Sequence, residues 1–432
     1  MKKIILFISI LFLFKANAQF QLEDWQAYTY LLDIRHACSD NDDNIWAATS
    51  GGILKYNLNS NDYEVFTNVD ELIAVDFNTI YYSFENNILI AGSSDGIIEI
   101  YKDGEWHHNS DIKNSVSSAN IAINDIIIEN NLAYVGGSFG LAVFDFENNI
   151  FVEDIKKFGN LTQITVNKII TEDGNIWAAT DKGIVTADPG TTISNPDNWT
   201  TYTQDNGLTE NSITDISIAQ DTVYATDSEY LFRLRDTTFS IVEERNIVGI
   251  ETINDTLYFS NPFRYYRHNP RDNFKITEHI ISGFNACASE QIEAVFYLKN
   301  NGFGILREDS LEMIEINSPV TGIMYDIAVE ENGAVWFATG DDREGRGAMK
   351  LDNGKWTNFN ENEQASYPGS IRGIHKVSLH PDGRKLLSCW GGGFMTIQES
   401  DTGYVFNLYN EDNSAFDIVN DIDNFVVAGE TV

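Results

Sequence analysis

The residues that could carry out chemistry are scattered along this chain rather than grouped. Its 7 histidines occur without an HExxH motif, a His-x-His pair or a Cys/His cluster, which argues against the usual transition-metal sites. No Gly-x-Ser-x-Gly elbow is present, and the many carboxylates define no single pair suited to glycoside hydrolysis. The sequence therefore predicts no catalytic residue, no metal site and no cofactor, and we expect a protein that is not an enzyme.

Three features that could suggest a functional site are predicted to be structural instead. Asp40-Asn-Asp-Asp-Asn44 has the alternating oxygens of a calcium loop but lacks the glycine and the bidentate glutamate of one, so we interpret it as a turn. His107-His108 follows an outer-strand tryptophan and is predicted to face solvent. An exported protein could form one disulfide, but no CxxC pair occurs and buried thiols are the prediction for Cys38, Cys287 and Cys389.

One charged loop departs from the pattern around it. Gly340-Asp-Asp-Arg-Glu-Gly-Arg-Gly347 is inserted where two strand-like segments should be joined by a tight turn. Insertions at one position of a repeat protein lie on one face, where ligands often bind. Arg343 and Arg346 could hold a carboxylate or a phosphate there. The loop is either this candidate binding site or a plain long turn.

These residues are set in a repeated β-unit. A polar turn, an apolar strand, a glycine and a second apolar strand recur from about residue 40, most clearly in residues 44–56 and 174–185. The strands are rich in β-branched and aromatic residues and are separated by Asn, Asp and Gly, which favours β-units over helical repeats. One bulky residue marks each copy: Trp46, Ile90, Tyr134, Trp177, Tyr224, Tyr258, Phe296, Trp336, Leu387 and Val427.

The spacing of these marker residues predicts a β-propeller. It averages about 42 residues, within the range of four-stranded propeller blades. The first seven markers suffice for one seven-bladed ring, and we assign it to residues 19–320. The remaining markers begin a partial second propeller over residues 321–432. Residues 423–429 have the pattern of a further blade, so we expect the sequence to be a fragment of a longer chain.

Residues 1–18 have the pattern of a signal peptide. A basic start at Lys2-Lys3 precedes an apolar run from Ile4 to Phe14 and an Ala16-Asn-Ala18 cleavage site. The apolar run is short for a membrane span, which disfavours an uncleaved anchor, and no later run is apolar enough. We therefore predict an exported protein that does not span the membrane.

The formal charge of −37 restricts the partners. A field of this sign repels nucleic acid and anionic membrane surfaces. It attracts cations or basic partners, or serves solubility alone.

Several segments resemble a known family. Residues 173–184 resemble the two-component-regulator propeller repeat, and Gly207-Leu-Thr-Glu-Asn-Ser-Ile213 resembles the lead-in of that repeat. A narrower resemblance covers about residues 19–205 and includes Trp25-x-x-Tyr28, Leu89-Ile-Ala-Gly92 and Trp177-Ala-Ala-Thr180. This part is similar to the N-terminal propeller of the PorZ-like family of the type IX secretion system. The lead-in Val69-Asp-Glu-Leu72 departs from the pattern because it lacks the Gly-Leu pair.

The resemblance implies a non-enzymatic accessory of that secretion system. Its implied partners are secretion-system surface proteins of the sortase attachment complex, with anionic lipopolysaccharide or an oligosaccharide as a further candidate ligand and no nucleic acid. Its implied location is the periplasm or the outer-membrane surface of a Gram-negative bacterium. Two alternatives stay open: a periplasmic ligand-sensing propeller of a hybrid two-component regulator, and another secreted propeller that acts as an enzyme or adhesin. The resemblance transfers no binding residue.

Overall fold

The computed structural model of the protein describes most of the chain beyond residue 25. The described residues are 26–115, 121–188, 190–253, 255–261, 264–268, 276–279, 285–289, 292–298, 302–307, 310–340, 346–369, 371, 373–389, 392–410 and 412–414. The predicted signal peptide, Arg343, the marker Val427 and the side chain of Cys287 lie outside the described residues. Helices within these ranges are short: α1 (Asp111–Ser115) and the 3-10 turns Pro196–Asn198 and Gln204–Asn206.

The described chain forms nine four-stranded antiparallel sheets, each made of consecutive strands. Sheet 1 contains β1 (Ile34–Ser39), β2 (Asn44–Thr49), β3 (Gly52–Asn57) and β4 (Tyr63–Phe66). Sheet 2 contains β5 (Phe77–Ser83), β6 (Ile88–Ser93), β7 (Ile98–Lys102) and β8 (Glu105–Asn109). Sheet 3 contains β9 (Ile123–Glu129), β10 (Leu132–Gly137), β11 (Gly140–Asp145) and β12 (Ile150–Ile155). A two-stranded hairpin follows, β13 (Lys157–Phe158) and β14 (Leu161–Thr162).

Sheets 4 to 7 repeat the same order. Sheet 4 contains β15 (Val166–Glu172), β16 (Asn175–Thr180), β17 (Gly183–Ala187) and β18 (Thr200–Tyr202). Sheet 5 contains β19 (Asp215–Ala219), β20 (Thr222–Thr226), β21 (Tyr230–Arg235) and β22 (Thr238–Glu244). Sheet 6 contains β23 (Gly249–Ile253), β24 (Thr256–Asn261), β25 (Arg264–His268) and β26 (Ile276–His279). Sheet 7 contains β27 (Asn285–Ser289), β28 (Ile292–Leu298), β29 (Gly302–Arg307) and β30 (Ser310–Met313).

Two further sheets follow the seventh. Sheet 8 contains β31 (Asp326–Val329), β32 (Val335–Ala338), β33 (Ala348–Asp352) and β34 (Lys355–Phe359). Sheet 9 contains β35 (Ile374–Leu379), β36 (Lys385–Cys389), β37 (Gly393–Ser400) and β38 (Gly403–Tyr409). The nine marker residues from Trp46 to Leu387 all fall on the second strand of a sheet, so the period measured in the sequence is the period of the sheets.

Residues with a left-handed backbone conformation form the turns between the first and second strands of several sheets. Asp43, Asn87 and Asn131, which end the turns between first and second strands, have φ of 58°, 53° and 62°. Asn and Asp tolerate this region better than other side chains. The lead-in glycine Gly207 has φ of 92°, and a Cβ on it would lie 2.2 Å from the carbonyl oxygen of Phe239. The Gly-Leu lead-in therefore needs glycine, and Leu208 after it is buried in the core of sheet 5.

Sheets 1 to 7 form a closed ring. The first strand of each sheet, here called the inner strand, lies against the inner strand of the next sheet, and β27 of sheet 7 lies against β1 of sheet 1. The predicted seven-bladed propeller is therefore confirmed, and sheets 8 and 9, whose inner strands also lie together, begin the second one. The domain boundary at residue 320 stays a prediction.

Among the described residues, sheets 7 and 1 share no strand at the seam where the ring closes. Side chains close it: Phe303 and Ile305 of β29 pack against Ile34, Leu54 and Tyr56 of sheet 1. The segment that continues to sheet 8, residues 314–320, adds to this closure. Its Ile314 and Ile316 pack against the same core, and the backbone N–H of Asn317 donates to the Tyr63 hydroxyl at 2.9 Å.

Candidate functional site

Asparagines at bulges connect the inner strands of the ring. Register shifts in β5, β9 and β15 place Asn78, Asn124 and Asn167 at irregular positions, where a bulge re-aims a side chain. The amide of each donates to a backbone carbonyl at the inner strand of the following sheet, at 3.0, 2.9 and 2.7 Å. An asparagine at the bulge of an inner strand thus joins neighbouring sheets in this part of the ring.

The residue after the bulge forms a second connection. The backbone N–H of Ile169 in sheet 4 donates to Asp125 Oδ2 of sheet 3 at 2.7 Å. Ile250 of sheet 6 donates likewise to Asp215 Oδ2 of sheet 5 at 2.9 Å. Polar side chains on the inner strands therefore accept amide protons of the next sheet, which satisfies groups that burial would otherwise leave without a partner.

Lys168 joins three sheets at the centre of the ring. Its Nζ lies 3.5 Å from Asp125 Oδ1 of sheet 3 and 3.2 Å from His36 Nε2 of sheet 1. His36 Nδ1 lies 2.8 Å from the carbonyl oxygen of Ile80, so Nδ1 carries the proton and Nε2 accepts from Lys168. The hydroxyl of Thr79 in sheet 2 also donates to Asp125 Oδ1, at 3.2 Å. We call His36, Asp125, Lys168, Asp215 and Glu251 the channel cluster.

Lys168 is the cation of this cluster. Although burial opposes its charge, the carboxylates of Asp125, Glu251 and Asp215 raise the pKa of Lys168. Burial raises the pKa of Asp215 to about 6 and that of Glu251 to about 7, against the lowering effect of Lys168. Burial and then the Lys168 charge lower the pKa of His36 to about 4, so His36 is neutral near pH 7.

The depressed pKa of His36 makes one contribution to the pH dependence of the free energy of unfolding. The folded protein releases the His36 proton near pH 4, whereas the unfolded chain binds it below about 6.5, so this histidine costs stability as the pH falls from 6.5 to 4. Asp215 and Glu251 act with the opposite sign, because their raised pKa values favour the folded state at acidic pH. The difference in pH dependence between the wild type and His36→Gln therefore isolates the contribution of the histidine to stability.

We expect the free energy of unfolding to rise more steeply with pH in the wild type than in His36→Gln between pH 4 and 6.5. Urea denaturation at half-unit pH steps measures both slopes. Equal slopes would show that His36 does not titrate in this window.

The channel cluster has the chemistry of a structural tie. The contacts of Lys168 with Asp125 and His36 run between sheets, and Asp125 and Asp215 each accept a backbone N–H of the next sheet. Asp125 and Lys168 lie at the same position of the repeat, within Asn124-Asp-Ile126 and Asn167-Lys-Ile169. Our sequence reasoning did not single out these residues, although an acid and a base at the same repeat position on adjacent inner strands were a usable signal.

A groove lies where sheet 1 meets sheet 8. Its volume is about 1010 Å³. One wall is formed by Leu32, Tyr63 and residues 313–320, and the other by β34 and the loop over residues 360–371. We call it the junction groove.

The candidate residue Arg346 lines the junction groove and is exposed. The base of its loop is built like the tight turns of the ring. Thr339 Oγ1 donates to the carbonyl of Gly347 at 2.6 Å and accepts from the N–H of Arg346 at 2.8 Å. Thr49 donates to Gly52 at 2.8 Å in the same way. The insertion thus extends from an ordinary blade turn, and a binding role for Arg346 stays a prediction.

The groove has more carboxylates than cations. Glu315, Glu361 and Glu363 line it together with Arg346 and Lys355. Two asparagine side chains form hydrogen bonds between its two walls.

Asn317 is the main bridge: its Nδ2 donates to the carbonyl of Gly354 and its Oδ1 accepts from the N–H of Trp356, both at 2.8 Å. Asn358 accepts from the N–H of Val320 at 3.1 Å and donates to the carbonyl of Ser318 at 3.2 Å. The groove is therefore a fixed, acidic feature of the surface.

The other sequence features have structural roles. Asp40 Oδ1 accepts from the backbone of Asp42 and Asn44, and Oδ2 accepts from Trp46 Nε1 at 2.7 Å, so this segment is the predicted turn. His107 and His108 are exposed, as predicted. Cys389 is buried as predicted, whereas Cys38 is only partly buried, and neither of them forms a disulfide within the described residues.

Within the described ranges, no group of three or more His, Cys, Asp or Glu side chains is arranged to hold a metal ion. None of the helices in this part of the chain is both long and apolar enough to cross a membrane.

Comparison with solved structures gives a strong match to a bacterial surface protein. The structure of PorZ, a bacterial surface component of the type IX secretion system of Porphyromonas gingivalis, aligns with a TM-score of 0.75 at 16% identity, over 90% of this chain and 54% of that one. The chain therefore spans about half the length of that PorZ structure. A comparison with curated protein sequences gives no match.

Two extracellular domains from B. thetaiotaomicron align less closely. That of a one-component system has a TM-score of 0.35 at 13% identity, over 88% of this chain and 61% of that one. The extracellular domain of a hybrid two-component system aligns with a TM-score of 0.34 at 15% identity, over 91% of this chain and 61% of that one. Scores this low carry no argument about this chain.

The family match lies within the ring. Residues 45–200, which run from β2 to β18, match the family described as the PorZ N-terminal β-propeller domain of the type IX secretion system. This stretch contains the marker residues Trp46 to Trp177 and the channel-cluster residues Asp125 and Lys168. This stretch is therefore similar to the PorZ N-terminal β-propeller domain, and the resemblance stated from the sequence is confirmed.

Proposed function

We propose that this protein is an exported, non-enzymatic accessory of the type IX secretion system that binds partner proteins at the cell surface. The observation that carries the proposal is the PorZ family match over residues 45–200, within a fold that aligns with PorZ along 90% of the chain. PorZ is itself described as a surface component of that system.

The interior of the ring supports a non-enzymatic role. A catalytic centre needs a general base or nucleophile that is free to reach a substrate. The charged side chains on the inner strands instead bond to neighbouring sheets, as Asp125 does to Thr79, Ile169 and Lys168.

The junction groove is the proposed docking surface. Its three carboxylates and two cations leave an excess negative charge, in a chain whose formal charge is −37. Such a lining favours a protein segment with basic groups over an anionic lipopolysaccharide, because like charges oppose binding. Of the candidate ligands, a partner protein of the sortase attachment complex therefore has the better support for this groove.

Deletion in the host bacterium tests the role in secretion. We expect cargo to be lost from the cell surface in the deletion strain and restored by the wild-type gene, as measured in surface and medium fractions. Unchanged surface attachment would refute the proposed function.

Charge reversal in the groove tests the docking surface. Glu361 and Glu363 are exposed on the loop after β34, so Glu361→Lys/Glu363→Lys should weaken co-purification of the attachment complex without unfolding the protein. Glu147→Lys, in an exposed turn of sheet 3 away from the groove, is the matched control. If both variants retain the complex equally, the groove is not the docking surface.

A further inference from the structure

A fully buried carboxylate lies between sheets 1 and 2. Glu99 is the second residue of β7, and its side chain has no exposed surface. Ile98 and Ile100 on either side pack into the core shared with sheet 3. Because side chains alternate along a strand, Glu99 points to the opposite face, toward sheet 1.

Glu99 fastens the loop that leads into sheet 2. Its Oε1 accepts from the backbone N–H of Ile73 at 2.7 Å and of Ala74 at 3.1 Å. These residues belong to the loop over residues 67–76, which joins β4 to β5. The loop buries Leu72 and Ala74 but leaves Ile73 49% and Val75 36% exposed. Two hydrogen bonds to a single oxygen therefore hold a loop with an apolar surface.

The second oxygen of Glu99 has no partner. Oε2 is buried and forms no hydrogen bond with any described residue. Several charged or titratable groups lie on the surrounding elements, and none of those described forms an ion pair with Glu99: Asp95, His108 opposite it on β8, Lys55 and Glu64 of sheet 1, and Asp70, Glu71 and Asp76 of the loop. A buried carboxylate without a cation is costly in its charged form.

We propose that Glu99 is a proton-operated latch: with its proton, Glu99 holds the loop over residues 67–76 closed on the ring, and loss of the proton releases the loop. The electrostatics agree with this geometry. Burial raises the pKa of Glu99 from 4.5 to about 7, with a further contribution from Asp95 and against the two amide hydrogen bonds. Since the closed loop raises the pKa, the closed state binds the proton more tightly than the open state. Closure is thus strongest at acidic pH and weakens as the pH rises from about 4.5 to about 7, the pKa values of the open and closed states.

Amide hydrogen exchange of Ile73 and Ala74 in the full chain tests the latch. After correction for the intrinsic pH dependence of exchange, we expect their protection to fall about tenfold between pH 6 and pH 8 in the wild type. Glu99→Gln keeps one oxygen for both amides but cannot ionise, so its protection should not change with pH. Glu105→Gln, at an exposed position on β8, should behave like the wild type.

Equal pH dependence in the wild type and Glu99→Gln would overturn the proposal, as would constant protection in the wild type. If Glu99→Gln does not fold, carbon-13 NMR titration of the Glu99 carboxyl in the wild type decides. A midpoint near 7 supports the latch, and an ordinary midpoint near 4.5 overturns it.

Discussion

Replacing Lys168 by methionine should destabilise the ring by about 3 kcal/mol, because the change leaves a buried carboxylate without its cation. Asp125 has 2% of its side chain exposed, and Lys168 has 20%. The remaining donors to Asp125, from Thr79 and Ile169, are neutral. The loss should appear as a lower urea midpoint at pH 7.

The second propeller offers a matched control. Lys376 Nζ lies 3.6 Å from Asp326 Oδ2, between the inner strands of sheets 9 and 8, but 33% and 27% of these side chains are exposed. Ion pairs that water reaches contribute less than about 1 kcal/mol, so Lys376→Met should have a small effect. Asp125→Asn should recover part of the stability lost in Lys168→Met. Equal losses in Lys168→Met and Lys376→Met would show that burial of Asp125 does not govern the cost.

The repeat made the fold predictable from the sequence. Alternating apolar residues and turns with Asn, Asp and Gly specify strands locally, and nine of the ten marker residues each fall on one of the described sheets. Ring closure followed because seven such sheets bury one another's faces.

The tie at the centre of the ring was not predictable in the same way. Lys168 and His36 are 132 residues apart and meet only when the ring closes. Likewise, Glu99 lies in an apolar strand, and the sequence alone does not show that a loop amide reaches it. Arg346 was singled out as part of an inserted loop, but its position in a groove depends on how sheet 8 packs against sheet 1.

The seam of the ring gives the second large effect. Phe303 is buried at this seam, where its ring lies edge-on to Tyr56 with 5.5 Å between centroids. Truncation of a buried phenylalanine costs about 3–5 kcal/mol. Since sheets 7 and 1 share no strand, we expect Phe303→Ala to open the ring locally before it unfolds. Hydrogen exchange should accelerate first in β1 to β3, in β29 and in residues 314–318.

Phe144→Ala separates this seam effect from a general loss of core packing. Phe144 is as deeply buried as Phe303, but it lies in the core between sheets 2 and 3, well inside the ring sequence. Its truncation should cost a similar free energy, with accelerated exchange in sheets 2 and 3 and none at the seam. If both variants instead accelerate exchange uniformly around the ring, closure is as strong as any other contact between sheets. A local response at the seam would mean that residues 314–318, which bind Tyr63 of sheet 1 and Gly354 of sheet 8 through Asn317, fasten the first ring as well as join it to the second.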